Sequence, residues 1–415
     1  MVGRTYFKTV NRMFATNKVR LFLISAMTMI SVAMVGGLGS VPPRMRAAVE
    51  YMQNEGKTGV TGSDGTWYDF AFILGQADGI ERISIVFPIF FILVTSLVVF
   101  MTITRMIESE RGQIACLKTL GYRQDSIVAK YIYFTLVATI LGVVAGILLG
   151  HFGFATVIYN SVVAHWDMPN ITANTPFVGI AMMLIMVAFS LAVAGFTALH
   201  VARQRPSKLL QGKAPVAGGR ILFERIPFLW KPLPFRYKSS LRNIFRYRTR
   251  FVMTVFSMAF STALVFCGMA LSFSMEQYNP ALMDTIRPIA TIVVLAAICL
   301  NSMVIYNITN INIDERKREI ATLKVLGYRN IEVSGYIFRE IFILTLMGVI
   351  IGLPVGYFTM DAIFTFLRFG SSEYVDWYVW VLTAVLSLTS LALADLLLFR
   401  KIHKVDMNTS LKVVE

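Results

Sequence analysis

Eight apolar runs are spaced along this 415-residue chain, at about 21–40, 83–106, 127–152, 174–200, 251–273, 287–310, 333–359 and 377–400. A helix of about 20 apolar residues crosses the roughly 30 Å hydrocarbon core of a bilayer, where the backbone must satisfy its own hydrogen bonds. A soluble chain of this length would make two or three domains. A hydrophobic content of 56% with only 15% charged residues excludes that reading and predicts an all-α polytopic membrane protein. The net charge of +15 would suit a nucleic-acid binder, but its distribution does not. Residues 201–250 hold thirteen Lys or Arg against one acid, Glu224, while 153–173 and 274–286 hold no Lys or Arg. Basic residues crowd the segments on one side of the spans, as the positive-inside rule requires. The expected protein is multi-pass in the cell (plasma or inner) membrane, with both termini and the 201–250 segment cytoplasmic and no nucleic acid as partner.

The runs fall into two sets of four joined by a repeat. Ile114, Ala115, Leu117, Lys118, Leu120, Gly121, Tyr122 and Arg123 recur 206 positions later as Ile320, Ala321, Leu323, Lys324, Leu326, Gly327, Tyr328 and Arg329. Each copy lies between two spans, with apolar residues near helical spacing and a glycine where a helix stop is expected. Each therefore reads as a short amphipathic connector helix. The third and seventh runs share a second feature at the same offset: Gly142, Gly146 and Gly150, and Gly348, Gly352 and Gly356. A glycine at every fourth residue gives a smooth stripe for close helix packing. Four spans per half make both halves face the same way, so the repeats are parallel. The expected boundaries are 1–210 for the first half, 211–236 for a cytoplasmic or interfacial linker and 237–415 for the second half.

The connector pattern Glu-Arg-x-x-Glu-Ile-x-x-Leu-Lys-x-Leu-Gly, carried by Glu315, Arg316, Glu319, Ile320, Leu323, Lys324, Leu326 and Gly327, resembles the cytoplasmic segment of FtsX-like (MacB-type) ABC transporter permeases. The first copy departs from it, with Gln113 for the glutamate and Gly112 for a basic residue. The resemblance covers both membrane halves, about 1–40 and 83–415, and leaves out 41–82. It implies that each connector is a coupling helix resting on an ABC ATPase subunit, one per helix of an ATPase dimer, with ATP and Mg held by that partner and no cofactor in this chain. Ile114, Leu117, Leu120, Ile320, Leu323 and Leu326 would be apolar anchors. Glu110, Arg111, Lys118, Glu315, Arg316, Glu319 and Lys324 would supply polar contacts, with Gly121, Tyr122, Gly327 and Tyr328 completing the surface. Membrane lipids and an extracytoplasmic accessory protein are the further partners it implies.

Between the spans the sequence is less regular. Residues 1–20 are basic without an acid and precede the first run, with a counterpart before 251 that cannot be a signal peptide. A retained span entered by a surface-lying basic amphipathic helix accounts for both. Residues 41–82 read as a polar extracytoplasmic loop in place of the large domain that relatives often carry there, with 56–65 as a mobile, Gly-rich tip. Its Gly56-Lys57-Thr58 lacks the upstream glycine of a phosphate loop.

The chain is not read as an enzyme. No nucleophile–base pair, paired-carboxylate site or metal-ligand spacing emerges. Asp395 is expected at the inner interface, paired locally one turn before Arg400, and Asn301, Asn307 and Asn310 are expected to hydrogen-bond between helices. The function so read is that of a permease subunit passing ATP-driven motion across the membrane. A module driving an extracytoplasmic hydrolase or sensor without transport is the alternative. A secondary transporter would need ionisable mid-membrane sites that the spans almost lack.

Overall fold

The computed structural model describes residues 10–62, 65–171, 177–207, 234–246, 248–278, 280–367 and 370–403. The start of the basic N-terminal segment and most of the 211–236 linker lie outside them. In chain order the helices are α1 (Lys18–Gly39), α2 (Val41–Asn54), α3 (Phe70–Ser109), α4 (Arg111–Thr119), α5 (Gln124–Leu148), α6 (Ala155–Trp166), α7 (Phe177–Ala202), α8 (Phe235–Arg246), α9 (Arg248–Tyr278), α10 (Pro280–Glu315), α11 (Lys317–Val325), α12 (Asn330–Leu367) and α13 (Trp377–His403). A two-stranded antiparallel hairpin, β1 (Gly59–Thr61) and β2 (Trp67–Asp69), is the exception to the helical fold. Among the described residues eight helical stretches are long and apolar enough to cross a membrane. The protein is an all-α polytopic membrane protein.

The same span pairs pack in both halves. In the first, α1 lies against α5 and α3, and α7 against α5 and α3; in the second, α9 lies against α12 and α10, and α13 against α10 and α12. The glycine stripes sit on the first pairing of each set. A Cβ on Gly142, Gly146 or Gly150 would stand 2.5 to 2.8 Å from the carbonyl oxygens of Ser25, Met29 and Ala33 on α1. On Gly348, Gly352 and Gly356 it would stand 2.5 to 2.9 Å from Met258, Ala259 and Phe266 on α9. Only glycine lets these backbones come so close.

The halves meet through α1, α3 and α6 on one side and α9, α10 and α12 on the other. Their facing surfaces are packed: Phe87, Phe91, Val94 and Val98 share one buried core with Ile289, Val293, Leu300 and Val304. Hydrogen bonds cross within it. Asn307 donates to Thr102 Oγ1 at 2.7 Å, and Ser261 donates to Asn301 across α9 and α10 at 2.5 Å. Lys401 donates to Asn310. The asparagines thus bond between helices.

The stretches expected to be loops are largely helical. Within 41–82, α2 continues almost directly from α1, and its Val41, Met45, Ala48, Val49 and Met52 are buried in the core. α3 begins at Phe70, well before the expected 83. The 56–65 tip is partly ordered as β1, with Val60 buried and Gly59 packed under the Trp67 ring. Residues 155–166 form α6, reached from α5 through a π-helical segment, Leu149–Phe154. Residues 274–286 are helical on both sides of 279. Three stretches of the first half thus run on past the span ends furthest from the connectors. There Trp166 is buried, with Tyr68 edge-on to it at 4.9 Å between ring centres, so the hairpin rests on α6.

Asp395 also differs from expectation. Its Oδ1 has no hydrogen-bond partner among the described residues, and no pair with Arg400 forms. Five residues apart on a helix place two side chains on different faces, whereas pairing needs three or four.

Candidate functional site

The two connectors, α4 and α11, are nine residues each and begin and end at the same offset of 206 positions. Gly121 and Gly327 close them with φ of 84° and 87°, a left-handed conformation that favours glycine. In both, the glycine N–H donates to the Lys118 or Lys324 carbonyl, and the next tyrosine's N–H to that of Leu117 or Leu323. That pair of bonds satisfies two carbonyls left over at a helix end.

The residue just before each connector helix is held by an ion pair with the following span. Glu110 Oε2 accepts from Lys130 Nζ at 3.0 Å and Tyr131 Oη at 2.9 Å, and its Oε1 accepts from Asn17 at 3.3 Å. Arg316 pairs with Glu340 on α12, and the Asn243 amide of α8 lies against the same pair, its nitrogen 3.4 Å from Glu340 Oε2. The position is shared and the sign is reversed: the acid precedes α4, the base precedes α11. Burial opposes the Arg316 charge, yet Glu340 and Glu319 hold its pKa above the ordinary value. Charges near the start of an apolar run, Lys130 and Glu340, are the sequence signal for these pairs.

The other expected polar contacts are also used within the chain. Arg111 donates to the Gln204 side chain at 3.1 Å. Lys118 donates to the Ala202 and Gln204 carbonyls, and Lys324 to those of Ile402 and His403. Glu315 pairs with Arg105 at 3.2 Å, across the two halves. Beside it Asp314 binds Lys401 at 2.6 Å and approaches Arg20 at 3.8 Å. Glu319 stays exposed.

The apolar positions divide. Ile114 and Ile320 are 1% exposed and belong to the interior. Leu117, Tyr122 and Leu323 are half-buried against the same interior. Leu120 and Leu326 are 75% and 68% exposed, and Tyr328 is exposed as well. Val325 and Ile331, not foreseen, extend the open apolar face of the second connector. Among the described residues no group of three His, Cys, Asp or Glu could hold a metal ion.

A family model described as FtsX-like permease C-terminal matches the chain twice, at residues 85–206 and 291–407, together more than half of its length. The chain belongs to the FtsX-like permease family. Each match contains one connector and the span on either side of it, so this FtsX-like permease carries the family's domain twice in one polypeptide. Neither the curated proteins nor the solved structures gave a match. The family consists of membrane subunits that work with ATPase partners in ABC transporters.

Proposed function

We propose that the chain is the permease subunit of an ABC transporter and passes ATP-driven motion of a partner ATPase dimer across the membrane, for export or extraction of a substrate or for mechanotransmission. The observation that carries this is the pair of equivalent connectors, fixed at their bases by buried ion pairs and open at their tips through Leu120, Leu326 and Tyr328. Each tip would sit in a groove of one ATPase, which holds ATP and Mg. The basic bias of the connector side supports a cytoplasmic location for it and both termini, with α8 against lipid headgroups. The far-side extensions of α1–α2, α3 and α5–α6 favour a mechanical output, including action on an extracytoplasmic protein without transport.

The test is isolation of the chain with its ABC ATPase from membranes. Leu120→Asp with Leu326→Asp should leave the permease folded and remove the ATPase, since a charge would replace two exposed apolar contacts worth about 2 kcal/mol or more at the centre of an interface. Normal ATPase recovery and turnover with this double variant would overturn the proposal.

A further inference from the structure

The lysine that recurs in both connectors performs the same act twice. Lys118 Nζ donates to the carbonyl oxygens of Ala202 at 2.7 Å and Gln204 at 2.6 Å. Lys324 Nζ donates to those of Ile402 at 2.9 Å and His403 at 3.1 Å. In the first half these carbonyls lie at the last residue of α7 and two residues past it, and in the second they close α13. The final carbonyls of a helix have no partner within it and carry the negative end of its dipole. An ammonium with three donors and no acceptor suits them.

The connectivity gives the contact a purpose. Each connector is joined covalently to the second and third spans of its half, but its chain path to the fourth runs the whole length of the third and back. A fourth span that follows the connector directly needs a fastening at this end. The acceptors also explain how the contact survives divergence. The acceptor stretches, Ala202-Arg203-Gln204 at the end of the fourth span and just past it and Ile402-His403 at the end of the eighth, share no residue. A backbone carbonyl is available whatever the side chain, so only the lysine has to be kept.

We propose that Lys118 and Lys324 are positioning residues that fasten each connector to the last span of its own half, so that a displacement imposed on the connector moves that span with it. The consequence for coupling rests on the ABC permease reading; the fastening itself is tested on the chain alone.

The experiment measures distances by double electron–electron resonance in lipid nanodiscs, with Cys116, Cys267 and Cys299 replaced by serine. Spin labels at Thr119→Cys and Arg205→Cys report the first half, and Thr322→Cys and Arg400→Cys the second; all four sites are exposed. The parent should give a single narrow distance in each. Lys118→Met keeps the stem and loses the donors, and it should broaden the first-half distance alone. Lys324→Met should broaden only the second. Lys118→Arg and Lys324→Arg, which still donate, should restore narrow distances. Unchanged widths in both methionine variants overturn the proposal, and so does broadening of both distances by either one, which marks general loosening. If a methionine variant fails to insert, the alanine variant at the same position, which also lacks donors, replaces it under the same criteria. A lysine-dependent distance in a chain that binds no ATPase keeps the fastening and sinks the coupling reading. ATPase binding through Leu120 and Leu326 with no lysine dependence does the reverse.

Discussion

Arg316 and Glu340 face each other with side chains 6% and 7% exposed. Two charges so placed depend on one another, because removing one leaves the other buried without compensation. Glu340→Gln is expected to destabilise the protein by about 3–5 kcal/mol, whereas Arg316→Met with Glu340→Leu should recover much of the loss. Thermal unfolding in detergent would show it, and equal midpoints for the single and double variants would contradict the argument. Glycines on one helix should divide as sharply. A Cβ on Gly352 would stand 2.5 Å from the Ala259 carbonyl oxygen, while around Gly335 there is open space. Gly352→Ala should cost about 1–3 kcal/mol by overpacking. Gly335→Ala should be neutral or stabilise by up to about 1 kcal/mol through helix propensity. The stripe was legible in the sequence because its period of four residues is itself the packing geometry. The destinations of Lys118 and Lys324 were not, because a long flexible side chain at the surface can reach a partner or its own chain, and spacing does not say which.

At the scale of the element, a connector helix is a shared object. Its periodicity showed an apolar face but not how that face is divided between the chain's own spans and a partner. Ile320→Asp should therefore act on folding, placing a carboxylate in a closed interior, whereas Leu326→Asp should leave the unfolding midpoint unchanged and act only on ATPase recovery. Fluorescence-detected size exclusion of the two variants would separate them; a monodisperse Ile320→Asp chain would show that the base of the connector is not tied down. The α2 segment was obscured by its start. Pro42 and Pro43 stand in the first turn of α2, where proline is tolerated because its missing N–H has no partner to lose. Val41, Met45, Ala48, Val49 and Met52 carried the helical spacing all along. Tolerance of change should follow the hairpin and not the glycine content. A short Gly-Ser insertion between β1 and β2 should leave expression and folding intact, while Gly59→Leu, which meets the Trp67 ring, should reduce both. Equal expression of the two would contradict this.

For the whole molecule, the two halves are joined near the connectors by charges and further in by packing. Arg105 with Glu315, and Arg20 with Asp314, cross from one half to the other. If ATPase closure moves the connectors relative to each other, these contacts must give. Arg105→Cys and Glu315→Cys joined by a short bismaleimide should then arrest ATPase turnover in the complex, and full turnover after cross-linking would show that the halves work without separating there. The eight spans were legible from apolar length alone, whereas the first half's continuation past the expected span ends was not, because its polar face resembles a loop. That continuation has a geometric consequence. α3 has forty residues in one helix. At about 1.5 Å per residue it reaches about 60 Å, twice the roughly 30 Å hydrocarbon core. A rod of that length, pivoting within the bilayer, multiplies a small tilt into a larger sweep at its free end. In the second half α10 and α12, of 36 and 38 residues, reach about 54 and 57 Å by the same measure and make arms of nearly the same length. A small stroke at either connector would thus arrive at the far end of its half as a larger one, and in the first half the hairpin that caps α3 would travel with it.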